Sequence, residues 1–174
     1  IPGEEDTFDR QLPGFGPFGT AGHHCFDQTN PVYQRIALLS AVRQEYPALR
    51  VGRQYLRKTS FLGKPFGVYG PGELLAWSRI LDDEEALCVV NTNGREMRGA
   101  DIEVDAQLTP SGGALTVVAN TSEVELPTEQ PEALSTGTSR PVRQTAEGRA
   151  YIEIRNMPPS AVLVLTNHPS AAGS

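Results

Sequence analysis

The sequence predicts a mainly β chain: an antiparallel β-sandwich preceded by one amphipathic helix. Three observations carry this. A single apolar stripe at helical spacing lies between Asn30 and Pro47, and a series of strand-like segments follows it. The 17 glycines and 14 prolines among 174 residues favour frequent turns over a helical bundle.

The helix comes first. Asn30 is a good N-cap, and Pro31 suits the first helical position, where a missing N–H costs nothing. Val32, Ile36, Leu39, Val42 and Tyr46 then recur at spacings of four, three, three and four, while Gln34, Arg35, Arg43 and Gln44 fall on other faces. Pro47 stops the pattern, because a residue before proline is pushed out of the α region. No second helix is expected, and the periodicity changes to that of strands.

Strands are expected over residues 52–58, 73–81, 85–92, 101–108, 115–120, 150–155 and 161–166. In 101–108 the alternation puts Ile102, Val104, Ala106 and Leu108 on one face and Asp101, Glu103, Asp105 and Gln107 on the other. The runs 87–90 and 162–165 are continuously apolar and read as central strands covered on both faces. Asp82, Asp83 and Glu84 mark a solvated turn between two strands. Short strands with turn signals about every ten residues are the pattern of a sandwich. Three other segments carry no core pattern: 1–29, with its many glycines and prolines, 127–145, which reads as a long surface loop, and the tail 170–174.

Composition excludes some partners. A formal charge of −6 argues against nucleic acid and anionic membrane surfaces, which need a clustered basic patch. The nearest candidates, Arg50, Arg53, Arg57 and Lys58, alternate with apolar residues and read as the solvated side of a strand. No stretch approaches the roughly 18 apolar residues of a membrane span, and residues 1–10 lack the basic and apolar regions of a signal peptide. A soluble chain is expected. With only two cysteines, Cys25 and Cys88, free buried thiols in a reduced, cytoplasmic setting are expected over a disulfide.

No residue is assigned a catalytic role and no cofactor or metal is expected. His23, His24, Cys25 and Asp27 are dense in ligating types, but neighbouring side chains diverge in extended backbone and no fourth ligand sits at a recognisable spacing. The run Gly14-Phe15-Gly16-Pro17-Phe18-Gly19 lacks the Lys-Ser/Thr ending of a phosphate cradle, and Pro17 removes an N–H that a cradle would use. Asp82 to Glu85 and Asp101, Glu103 and Asp105 read as solvated charge, without the burial that separates catalytic carboxylate pKa values. Trp77, the only tryptophan, is expected as a core plug, with a sugar-stacking platform as the alternative. Tyr55, Phe66 and Tyr69, near turns, complete the candidate carbohydrate-binding set.

A more specific signal is carried by motifs. Phe18-Gly19-Thr20-Ala21-Gly22-His23-His24-Cys25-Phe26-Asp27, Asn30-Pro31-Val32-Tyr33, Pro47-Ala48-Leu49-Arg50, Gly52-Arg53-Gln54-Tyr55-Leu56-Arg57 and Ala76-Trp77-Ser78-Arg79 occur in order, followed by Val89-Val90-Asn91-Thr92 and Met157-Pro158-Pro159-Ser160. Together they resemble the C-terminal end of an α-amylase family glycoside hydrolase, from about Gly3 to Asn167. The resemblance implies a loop from the barrel end over 1–29, a barrel-closing helix over 30–50, the β-sandwich called domain C over 51–167, and a tail over 168–174. It also implies that Val32, Ile36, Leu39, Val42 and Tyr46 pack on a catalytic barrel that supplies the family's two aspartates and one glutamate. None of those carboxylate motifs occurs here, and Ile1-Pro2 runs into Gly3-Glu4-Glu5 without the last barrel strand.

The implied function is that of a non-catalytic portion stabilising a barrel that acts on α-glucosidic bonds. Its expected partners are that barrel and α-glucan, with self-association through the helix as a further expectation. A free carbohydrate-binding module is the alternative.

Overall fold

The computed structural model describes residues 28–124 and 134–169. Two helices open it, α1 (Pro31–Glu45) and α2 (Pro47–Val51). Ten strands follow: β1 (Arg53–Arg57), β2 (Thr59–Ser60), β3 (Leu74–Leu81), β4 (Glu84–Asn91), β5 (Arg98–Glu103), β6 (Ala114–Asn120), β7 (Ser139–Pro141), β8 (Arg143–Gln144), β9 (Ala150–Met157) and β10 (Val162–Thr166). They form a six-stranded sheet in the order β1-β3-β4-β10-β6-β7 and a four-stranded sheet in the order β2-β5-β9-β8. All pairings are antiparallel, and the fold is the β-sandwich that the strand spacing predicts.

The chain changes sheets twice by short crossings. Lys58 separates β1 from β2 and Val142 separates β7 from β8, so one sheet's edge strand leads directly into the other's. Between the sheets, inward-pointing Leu74, Ala76, Leu87, Val89, Leu163 and Leu165 meet Ala100, Ile102, Val104, Ile152 and Ile154, all at 4% exposure or less. Period-2 alternation places each of these on its strand's inner face. Each large apolar side chain so buried contributes about 1.5–3 kcal/mol.

Asn30 caps α1 as expected: its Oδ1 accepts from the Val32 N–H at 2.9 Å, and Tyr46 ends the helix ahead of Pro47. The expectation of no second helix is corrected. Pro47 starts one more short turn of helix rather than a strand, its missing N–H again falling where no partner is needed. Gly52 then ends α2 where the backbones close up. A Cβ there would lie 2.5 Å from the Ala48 carbonyl oxygen and 2.8 Å from that of Ile80, so only glycine fits.

Two further expectations are corrected. The strand expected over 101–108 pairs only as far as Glu103. Val104 stays buried, but Asp105 Oδ1 accepts from the N–H groups of Gln107 and Leu108, and this side-chain turn leaves Ala106 exposed. In the expected loop 127–145, residues 134–145 carry β7, β8 and the buried Leu134 and Val142. Strands of two and three residues show no periodicity to read. No described helix is long and apolar enough to cross a membrane.

Candidate functional site

The site with the most chemical information is the outer face of the six-stranded sheet, beneath α1. The register aligns Trp77 with Cys88, Cys88 with Val164, and Val164 with Ala119, one row across four strands. Val42 of α1 and its C-cap Tyr46 pack on this row and are each 5% exposed, with Leu38, Leu39, Leu49 and Trp77 partly buried around them. The central strands β4 and β10 are thus covered on one side by the core and on the other by the helix.

The five-residue stripe on α1 is divided. Val42 and Tyr46 are buried and Leu39 is half-buried, whereas Val32 is 52% and Ile36 59% exposed. The N-terminal half of the helix therefore overhangs with its apolar side chains in solvent. Beside the packed half lies an apolar groove of about 340 Å³, lined among others by Leu39, Trp77, Cys88, Val90 and Val162, with Arg43 and Arg79 in its walls.

Cys88, free and 6% exposed, sits in this layer. Burial pushes its thiol up to about 12, against the opposing pull of the positive Arg79. The folded value lies above that of an unfolded cysteine, about 8.5. The neutral thiol's contribution to stability is therefore complete below about pH 8.5 and is lost as pH rises through the folded value. At about pH 8, iodoacetamide is expected to spare Cys88 in the native chain and to modify it in denaturant, as read by peptide mass mapping. Equal modification in both would contradict its burial. The cluster of His23, His24, Cys25 and Asp27, like the glycine-rich run before it, lies outside the described residues.

The four candidate sugar-binding aromatics fall in separate places. Trp77 is half-buried beneath α1, a plug in the helix–sheet layer rather than in the central core. Tyr55 lies on the edge strand β1, 43% exposed, with the Arg57 guanidinium 5.9 Å from its ring centre. Phe66 and Tyr69 lie in the loop after β2, beside the four-stranded sheet. Phe66 packs at 6.0 Å on Tyr151 and carries Arg149 at 5.1 Å. Tyr69 meets Phe61 edge-on at 4.8 Å, and the Lys64 ammonium lies 4.6 Å from Phe61 and 5.4 Å from Tyr69. These rings are engaged by cations and by one another. Trp77 and the Phe66 loop occupy opposite outer faces of the sandwich.

Sequence reasoning missed a buried polar cluster. Glu85, grouped with the solvated acidic turn, is 0% exposed; only Asp82 and Asp83 form that turn, and Glu84 already pairs with Leu81. Glu85 Oε1 accepts from Arg57 Nη2 at 2.9 Å and from Ser78 Oγ at 2.5 Å, and the Asp105 N–H donates to its carboxylate at 3.2 Å. Arg57 Nε also donates to Ser78 Oγ at 2.7 Å. Arg57, expected on a solvated strand face, has a side chain only 12% exposed. Strand parity was the available signal: Ser78 follows Leu74 and Ala76 by steps of two, and Glu85 precedes Leu87 and Val89 likewise. The cluster ties Asp105, just past the four-stranded sheet, to three strands of the other sheet, and its carboxylate is enclosed.

No family model matches the chain, and no curated protein matches it. Solved structures do. AmyP in complex with maltose is 17% identical over 82% of this chain and 22% of its own, with a TM-score of 0.44. The α-amylase from H. orenii is 14% identical over 82% of this chain and 21% of its own, with a TM-score of 0.44. CldA, a cyclomaltodextrin glucanotransferase with a three-domain ABC distribution, is 17% identical over 84% of this chain and 24% of its own, with a TM-score of 0.48. The chain is thus similar, at low identity, to structures of α-amylase family enzymes, and spans less than a quarter of the length of each of these three.

Proposed function

We propose that this chain is the non-catalytic C-terminal portion of an α-amylase-type glycoside hydrolase. In this reading 30–50 is the barrel-closing helix, 51–167 is the C-terminal sandwich, and the two together stabilise a catalytic barrel acting on α-glucosidic bonds. The observation that carries the reading is the divided stripe of α1. Its C-terminal half is used on the sandwich, and Val32 and Ile36 are left apolar and exposed on the same helix. A helix that must serve two bodies at once has this distribution.

The motifs quoted from the sequence support it by their positions. Trp77-Ser78-Arg79 lies within β3, Asn91 closes β4, and Met157 closes β9 ahead of the turn at Pro158 to Ser160 into β10. Retaining glycoside cleavage needs two carboxyl groups about 5 Å apart across the scissile bond; the proposed barrel would bring them. A sugar platform has less support, because the candidate rings are divided between opposite faces.

Ile36→Asp tests the docking. In the isolated chain Ile36 is 59% exposed, so stability is expected to change by no more than about 0.5 kcal/mol. In the complete enzyme, where the proposal buries Ile36 against the barrel, the same change is expected to cost about 2 kcal/mol or more. Equally small effects in the two, measured by denaturant unfolding, would contradict it.

A further inference from the structure

The groove beside α1 has a chemical asymmetry. Among the described residues that line it, Leu39, Val42, Trp77, Val90 and Val164 are apolar, and the only two charged ones are arginines, Arg43 and Arg79. No carboxylate of the described residues lines it. Arg79 is also poorly satisfied: its Nη2 donates to the Arg50 carbonyl oxygen at 3.4 Å, and its Nε is buried without an acceptor among the described residues. A buried donor on a cation without its partner is costly, more so than a neutral one. Apolar walls, paired positive charge and an orphaned N–H together describe the complement of an apolar side chain accompanied by a carboxylate.

We propose that the groove is filled by an apolar side chain of the catalytic barrel whose neighbouring Asp or Glu carboxylate is received by Arg79, with Arg43 at the rim. This rests on the docking to a barrel proposed above. Hexanoate is the probe for the chemistry, 1-hexanol its uncharged control, and Trp77, the only tryptophan, the reporter in the groove wall. Hexanoate is expected to shift Trp77 emission at about tenfold lower concentration than hexanol, the difference made by one charge-assisted contact. Arg79→Met should abolish that advantage, and Arg79→Lys should keep part of it. Equal response to acid and alcohol, or an advantage that survives Arg79→Met, would overturn the carboxylate assignment.

A second measurement identifies the source. Arg79→Met is expected to lower the unfolding midpoint of the complete enzyme, where it removes the carboxylate's partner, and to hold or raise that of the isolated chain, where it removes an unsatisfied donor. Equal shifts in the two would overturn the barrel as the donor of the carboxylate. Ile36→Asp reports separately whether a barrel docks at all, so failure of this inference and failure of the docking itself are distinguishable.

Discussion

Replacing Glu85 with alanine is expected to lower the unfolding free energy by about 3 kcal/mol, the cost of leaving the nearly buried Arg57 with only the longer pair to the partly exposed Asp105 carboxylate, at 3.4 Å. The carboxylate is fully enclosed and Arg57 nearly so. Its removal takes from Arg57 and Ser78 their common acceptor and frees the Asp105 N–H that reaches across from the other sheet. Glu85→Gln should cost less, since the amide oxygen can still accept from Ser78. The double change Arg57→Met with Glu85→Met should recover most of the loss, because an apolar pair of similar volume leaves no charge stranded in the interior, the remaining Asp105 carboxylate being partly exposed. Urea unfolding followed by Trp77 emission checks all three, and a loss below about 1 kcal/mol for Glu85→Ala would show that the cluster is as wet as an ordinary surface pair.

Asn91→Ala is expected to cost about 2–4 kcal/mol, from several buried or part-buried backbone groups losing a partner together. Asn91 is 1% exposed. Its Nδ2 donates to the carbonyl oxygens of Glu96, Met157 and Pro158 at 2.9–3.0 Å, and its Oδ1 accepts from the Asn93 N–H at 2.9 Å. One amide thus joins the end of β4 to the turn after it and to the β9–β10 turn. Asn91→Asp separates the two halves of that role, keeping the acceptor and removing the donors. If the donors matter most, Asp should destabilise as much as Ala in thermal unfolding; a near-native aspartate variant would contradict this.

Much of the fold was legible because alternation and capping are local. Asn30 and Pro31 locate the start of α1, and the consecutive apolar residues of β4 and β10, facing both layers in turn, mark central strands. Three features were not legible, each for a physical reason. At Asp105 the alternation continues on paper, but its side chain captures the next amides and ends the strand. Leu134 and Val142 are single apolar residues on segments too short to have a period, so a polar stretch concealed two strands.

The third concerns the site itself. A helical stripe tells which residues are apolar together, not how much of that face one neighbour covers, so the division between Val42 and Ile36 needed coordinates. The same holds for the aromatics: Phe66 and Tyr69 are identifiable as rings near turns, but the cations beside them come from Arg149 and Lys64, distant or unremarkable in sequence. Glu85 could have been found, since its parity matches Leu87 and Val89, had the acidic run not been read as one unit.

In the proposed function this chain supplies structure for a barrel, and the glucoside chemistry belongs to that barrel. The direct test is maltooligosaccharide hydrolysis by the purified 174-residue chain, with a binding titration of the same sugars in the same buffer. Neither turnover nor binding is the predicted result. Turnover that survives repurification would overturn the proposed function, and saturable binding without turnover would replace it with a carbohydrate-binding module.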